Sequence, residues 1–214
     1  MSKIKAVLFD YDGTLRDSKS LIYASYDHAF RANGLQSPSK EEIDPHIHHG
    51  SFVHQALAAD VPYEDFDKHY RVKVNELMPS VGLFEGTGSL LQELSETGYK
   101  IGLVTAAKHP QEDLARHGVA DYFDVVISAQ DITKHKPDPE GINLALEKLG
   151  TTPDEAVYVG DMLTDIQAAK AAGLRAAIGI TIGFATRREL EAVNADYVID
   201  SFAELPSVLA KLEV

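Results

Sequence analysis

The sequence contains no cysteine. It therefore has no disulfide framework, no thiolate metal site and no thiol nucleophile, a pattern that fits a reducing compartment. Long hydrophobic runs are also missing. None approaches membrane-spanning length, and Met1 to Lys5 lead straight into a short apolar stretch, without the charged segment and apolar core of an export signal. A cytoplasmic protein is expected. Basic residues are outnumbered, 20 Lys and Arg against 33 Asp and Glu, for a formal net charge of -13. Phosphate backbones and anionic lipids are held by clustered Lys and Arg, so neither nucleic acid nor membrane is an expected partner. There is no internal repeat and no low-complexity segment. With 214 residues, 44% of them apolar, the chain is long enough for one good core and a small appendage.

What is present is organised around Ala6-Val7-Leu8-Phe9-Asp10-Tyr11-Asp12-Gly13-Thr14. Val7, Leu8 and Phe9 suit a strand buried on both faces, and Asp12-Gly13 is a turn signal, so the strand should stop near Asp10 and release two carboxylates. In an open α/β sheet that edge is where ligands bind. A calcium loop is set aside, because the fifth position counted from Asp10 is Thr14 rather than an acid or amide.

From Thr14 to about Pro79 the pattern is helical, with no convincing strand. Asp17 or Ser18 is placed to cap a first helix, whose apolar spacing runs from Leu21 to Phe30 and which Asn33-Gly34 closes. Gln36 to Pro45 reads as a polar, proline-bearing connection, and helices follow near 51–59 and 63–78. The region is expected to be a helical insert on two hinges that covers the crevice. Beyond Gly86, helices near 89–97, 110–117, 140–149, 164–172, 186–193 and 203–212 alternate with strands near 101–105, 124–128, 156–159, 175–180 and 197–199. Such alternation implies a doubly wound, Rossmann-like parallel sheet of the α/β class, with helices on both faces and right-handed crossovers. The expected domains are a discontinuous core, residues 1–15 and 83–214, and a helical cap, residues 16–82.

Asp10, Thr105, Lys136 and Asp161 all fall at the carboxyl end of an expected strand or in the loop beyond it. Asp165 lies four residues after Asp161, on the same face of a helix starting there. Strand ends of a parallel sheet share one edge, which brings Asp10, Asp12, Asp161 and Asp165 toward one point. Near 4 Å each like-charge pair costs about 4 kcal/mol at an effective dielectric of about 20. The cluster therefore needs a cation or must partly protonate. An all-oxygen donor set without His or Cys suits magnesium. Singly, Asp12 reads as a turn acid, Asp161 as a helix cap, Thr105 as a strand-end hydroxyl and Lys136 as a solvated lysine. Their joint order is what those readings leave unexplained.

In that order the residues resemble the motifs of the haloacid-dehalogenase superfamily of aspartate-nucleophile phosphotransferases. The similar branch carries a helical C1-type cap after the first strand, and its phosphoglycolate-phosphatase-like members are the nearest in pattern. The first motif is matched by Asp10-Tyr11-Asp12-Gly13-Thr14, the second by Thr105, the third by Lys136 within Lys136-Pro137-Asp138-Pro139, and the fourth by Gly160-Asp161 with Asp165.

The resemblance implies a magnesium-dependent phosphatase acting on a small phosphorylated metabolite such as phosphoglycolate, a sugar phosphate, a nucleotide or pyrophosphate. Asp10 is the implied nucleophile, forming an aspartyl-phosphate, and Asp12 the implied general acid and base. Magnesium is implied to sit on Asp10 and Asp161 with the backbone carbonyl of Asp12, and Asp165 to act through metal-bound water. Lys136 would supply positive charge and Thr105 would orient a phosphoryl oxygen, with backbone amides near Ala106 also facing the phosphate. Members that break carbon–halogen bonds lack an acid at the position of Asp12, which makes phosphoryl chemistry the expectation. The cap's specificity loop falls on His46-Ile47-His48-His49-Gly50, so His49 and Gly50 are implied substrate contacts; a zinc site from His46, His48, His49 and His54 is the other use weighed for these imidazoles. Arg16 stands where many members carry an apolar residue; it faces either the substrate leaving group or solvent, and solvent is the preferred expectation. The competing functions are a phosphomutase on the same core and, from another class, a phospho-aspartate signalling domain without turnover. Receivers of that kind have neither the large insert nor Asp-x-Asp-Gly-Thr. The oligomeric state is left open.

Overall fold

The computed structural model describes residues 3–48 and 53–213. The chain divides into two compact units, Met1–Arg16 with Leu83–Val214, and Asp17–Gly82. The second unit holds α1 (Lys19–Ala32), α2 (Lys40–His48), α3 (Val53–Leu57) and α4 (Tyr63–Leu77). The first is built on six strands, β1 (Ala6–Phe9), β2 (Lys100–Val104), β3 (Val125–Ile127), β4 (Ala156–Gly160), β5 (Ala176–Ile180) and β6 (Tyr197–Ile199). Around them lie α5 (Thr87–Glu96), α6 (Pro110–Arg116), α7 (Glu140–Leu149), α8 (Leu163–Ala171), α9 (Arg187–Ala192) and α10 (Leu205–Leu212).

Every strand pairing is parallel, in the order β3-β2-β1-β4-β5-β6. This is the expected doubly wound α/β architecture, and its cause is visible in β1, where no residue faces water. Val7 and Phe9 join Ile101, Leu103, Val157 and Val159 in a core that Leu91 of α5, Leu114 of α6 and Leu209 of α10 cover. Ala6 and Leu8 point the other way, into a core with Tyr158, Ile142 of α7, Ile166 of α8 and Leu190 of α9. A period of two along one strand thus feeds two apolar layers. The chain runs from β1 outward through β2 and β3, then returns to place β4 on the other side of β1. The carboxyl ends of β1 and β4 flank that switch point, where open α/β sheets bind their ligands.

In the helical unit, Tyr26 meets Tyr70 with ring centroids 4.8 Å apart and Phe30 meets Phe66 at 5.1 Å. Numbers rise along α1 as they fall along α4, so the two helices run antiparallel. The Tyr23 hydroxyl donates to Asp44 and ties α2 to α1. Two expectations need correction here. Residues 40–48 form a helix rather than a connection, because Ser39 and Glu42 make a reciprocal capping box (Ser39 N to Glu42 Oε2, 2.8 Å; Glu42 N to Ser39 Oγ, 3.3 Å). Glu41 and Glu42 also suit the positive end of the helix dipole, whereas Pro45 removes a single intrahelical donor. Ser18 does precede α1, but it makes no side-chain cap. Its buried hydroxyl has no hydrogen-bond partner among the described residues. The helix expected near 51–59 is described only over α3. No helix among the described residues is long and apolar enough to cross a membrane.

Close packing across β1 and β2 leaves no space at Gly102, where a Cβ would lie 2.4 Å from Leu8 Cδ2 and 3.1 Å from Val125 Cγ1. Gly102→Ala should cost about 1–3 kcal/mol through overpacking, seen as a lower urea midpoint at constant slope. Gly88, in α5, has open space instead, and Gly88→Ala should stabilise by about 0.5–1 kcal/mol.

Candidate active site

Asp10 is the first residue beyond β1 and Asp161 the first beyond β4, while Asp165 lies in the first turn of α8. All three are buried, and one carboxylate oxygen from each lies within 4.8 Å of the others. Lys136, in the connection between β3 and α7, places Nζ 2.5 Å from Asp10 Oδ1 and 2.5 Å from Asp165 Oδ1. The ammonium also donates to the Tyr158 hydroxyl at 3.0 Å, and that hydroxyl donates to Val104 O at 3.1 Å. Asp165 accepts a further bond from Met162 N at 2.9 Å, which fixes it to the start of its helix.

Asp161 is held by the backbone around it. The Thr14 hydroxyl donates to Oδ1 and Phe184 N donates to Oδ2, each at 2.8 Å. Two glycines make that approach possible, since a Cβ at Gly13 or Gly183 would sit 2.3 or 2.1 Å from Asp161 Oδ2. Gly13 has φ +86°, a conformation that a side chain would strain in any case.

Three carboxylates face one ammonium, leaving two negative charges in excess, the charge of one divalent cation. Burial pushes the Asp10 carboxyl up to about 7, with Lys136 opposing and Asp165 adding to the rise. Asp161 is raised well above the usual carboxylate range by burial, then by the charges of Asp10 and Asp165. Burial works against the Lys136 charge too, but the Asp10 and Asp165 carboxylates outweigh it and raise its pKa well above the ordinary value. The donor set is entirely oxygen, and each carboxylate oxygen keeps a lone pair after accepting one bond. Such a set fits a hard cation of the magnesium type.

Residues 7–178 match the family described as haloacid dehalogenase-like hydrolase. The chain belongs to that family. It is 33% identical over 221 residues to a phosphoglycolate phosphatase of Vibrio parahaemolyticus, covering 97% of this chain and 96% of the relative. A pyrophosphatase, PpaX, of Bacillus velezensis is 32% identical over 212 residues, with 95% of each chain covered. Among solved structures, a haloacid dehalogenase-like hydrolase from Bacteroides fragilis superposes with a TM-score of 0.84 at 30% identity, over 95% of this chain and all of that one.

Of the residues picked out from the sequence, the hydrolase fold brings Asp10, Lys136, Asp161 and Asp165 into direct contact or close grouping. Asp12 stands apart from that group, its carboxylate bound to Arg16. Arg16 was expected in solvent, yet it is 5% exposed, because the carboxylates of Asp12 and Asp113 compensate its buried charge. Thr105 is buried beyond β2, where its hydroxyl oxygen accepts a bond from Ala107 N at 3.0 Å; Ala106 beside it is exposed. His54 belongs to the packing of the helical unit, with Nε2 2.5 Å from Val61 O and its ring against Tyr63 and Phe66. His49 and Gly50 lie outside the described residues. Sequence reading missed Tyr158, Thr14 and Gly183. Thr14 sat inside the first motif and could have been assigned to the carboxylate opposite, whereas Tyr158 read as one more apolar strand residue.

The raised Asp10 predicts a pH dependence in the chelated protein. A carboxyl whose folded pKa lies above its ordinary value of 3.8 stabilises the fold below that value and loses this contribution as the pH rises towards about 7. Asp10→Asn has no proton to lose there, so its unfolding free energy should gain on that of the native chain between those limits. A pH-independent difference in denaturant titrations would contradict the burial argument.

Proposed function

We propose that the chain is a magnesium-dependent phosphatase of small phosphate esters or anhydrides, working through an aspartyl-phosphate on Asp10 in a cytoplasmic setting. The observation that carries this reading is the Lys136 ammonium shared by Asp10 and Asp165, beside Asp161, at the strand edge. The similar phosphoglycolate phosphatase and pyrophosphatase support a small phosphorylated substrate.

In the first step a carboxylate oxygen of Asp10 bonds to phosphorus as the bond to the leaving oxygen breaks, and Asp12 gives that oxygen its proton. In the second, Asp12 takes a proton from water, whose oxygen displaces the Asp10 carboxylate and frees inorganic phosphate. Lys136 favours the anionic form of Asp10 against its burial and draws in a phosphoryl oxygen, while Asp165 holds Lys136 in place. Thr105 and the backbone at Ala106 orient the phosphoryl group. Asp10 and Asp161, with the backbone carbonyl of Asp12 and with Asp165 behind them, would hold magnesium, which when bound neutralises charge between carboxylate and phosphate. In this reading the helical unit, residues 17–82, has the role of selecting small leaving groups.

Asp10→Asn should lower kcat by roughly 10³-fold or more in inorganic-phosphate release from a panel of phosphoglycolate, sugar phosphates, nucleotides and pyrophosphate, with the cooperative unfolding transition retained. An unchanged rate would remove Asp10 as nucleophile, and an isomeric phosphate product without free phosphate would make the chain a mutase.

A further inference from the structure

We propose that Arg16 is a positioning residue for the general acid and base: it clamps one oxygen of Asp12 and so holds the other toward the leaving group. The inference rests on the phosphatase reading and specifies how that site secures its proton donor. Arg16 Nε donates to Asp12 Oδ1 at 2.8 Å, and Nη2 donates to the same oxygen. Nη1 points away, to Asp113 Oδ2 at 2.9 Å. Asp113, in the first turn of α6, also accepts bonds from the Tyr11 hydroxyl and from Arg116. The guanidinium carbon lies 4.6 Å from the centroid of the Tyr11 ring. One end of a rigid planar group is therefore braced by α6 and by the residue between the two motif acids, and the other end grips Asp12.

The turn itself does not need this side chain. Gly13 N donates to Arg16 O, and Leu15 N and Arg16 N both donate to Tyr11 O, each at 2.9 Å, so backbone bonds already close it. The guanidinium instead joins two carboxylates of unequal exposure. Asp113 is 10% exposed in its side chain, whereas Asp12 keeps 30%. The more accessible of the two is the one the chemistry needs. A proton donor free to rotate spends little time in hydrogen-bond geometry with a departing oxygen, and fixing one carboxylate oxygen aims the other.

The test compares kcat/KM for p-nitrophenyl phosphate, whose phenolate departs without a proton, and for glycerol phosphate, whose alkoxide needs one. This ratio reports the first transfer, so the base work of the second step does not enter. Arg16→Gln should lower the glycerol phosphate value about 100-fold and the p-nitrophenyl phosphate value less than about 3-fold. Arg16→Lys keeps the buried charge opposite Asp113 but loses the fork, and should show the same split in milder form, so the comparison does not depend on the glutamine chain folding. Added to Asp12→Asn, Arg16→Gln should cause no further loss on glycerol phosphate, the non-additivity of residues acting as a unit. Equal losses on both substrates, or a full further loss in the Asp12→Asn background, would make Arg16 a brace of the fold and overturn the proposal alone. If the native chain released no phosphate from these two substrates or from any member of the panel above, the phosphatase reading would fall and this inference with it.

Discussion

A buried ammonium set between buried carboxylates governs this structure. Lys136 meets Asp10 and Asp165, and Asp161 stands within the same small group. One cation cannot neutralise three anions, and in a low-dielectric interior the remainder is costly unless protons or a further cation make it up. Burial first, and the neighbouring carboxylates after it, raise the Asp10 and Asp161 carboxyls, with Lys136 opposing at Asp10. In the mechanism proposed above the same excess of charge is put to use, because the Asp10 carboxylate has to approach a phosphate that is also negative.

The sheet exists in the form needed to hold that imbalance in place. β1 and β4 are neighbours in register, Phe9 opposite Val159, so Asp10 and Asp161 emerge from adjacent strands. Two apolar cores grip both strands from above and below, and this fixes the strand ends from which the acids project. Local backbone then finishes the work. Gly13 and Gly183 let the chain close around Asp161, and Gly160 lets Asp165 fold back over the end of β4, where a Cβ would lie 2.5 Å from the Asp165 carboxyl carbon. Glycine at these points reflects contact with a carboxylate as much as the freedom of a turn.

Much of this was legible in the chain. The apolar run ending in Asp10, the Gly160-Asp161 turn and the alternation of helix and strand gave the sheet, its edge and the acids on it, because each depends on local pattern. What could not be read depends on partners far apart in sequence. Arg16 looked like a surface residue because Asp113, which balances its buried charge, is 97 positions away on a helix whose own pattern is unremarkable in charge. Tyr158 looked purely apolar for the same reason, its hydroxyl meeting Lys136 and Val104. The helix over residues 40–48 is a different failure. Its capping box was present in the sequence, and the weight given to Pro45 concealed it.

On the proposed reading the acidic group at the sheet edge is built around a divalent cation, and calorimetric titration of magnesium into the chelator-stripped chain near neutral pH decides whether it is. One ion should bind per chain, with affinity reduced about 10-fold or more when Asp161→Asn removes a ligand. Absence of binding, or identical titrations of the native and Asp161→Asn chains, would contradict the account.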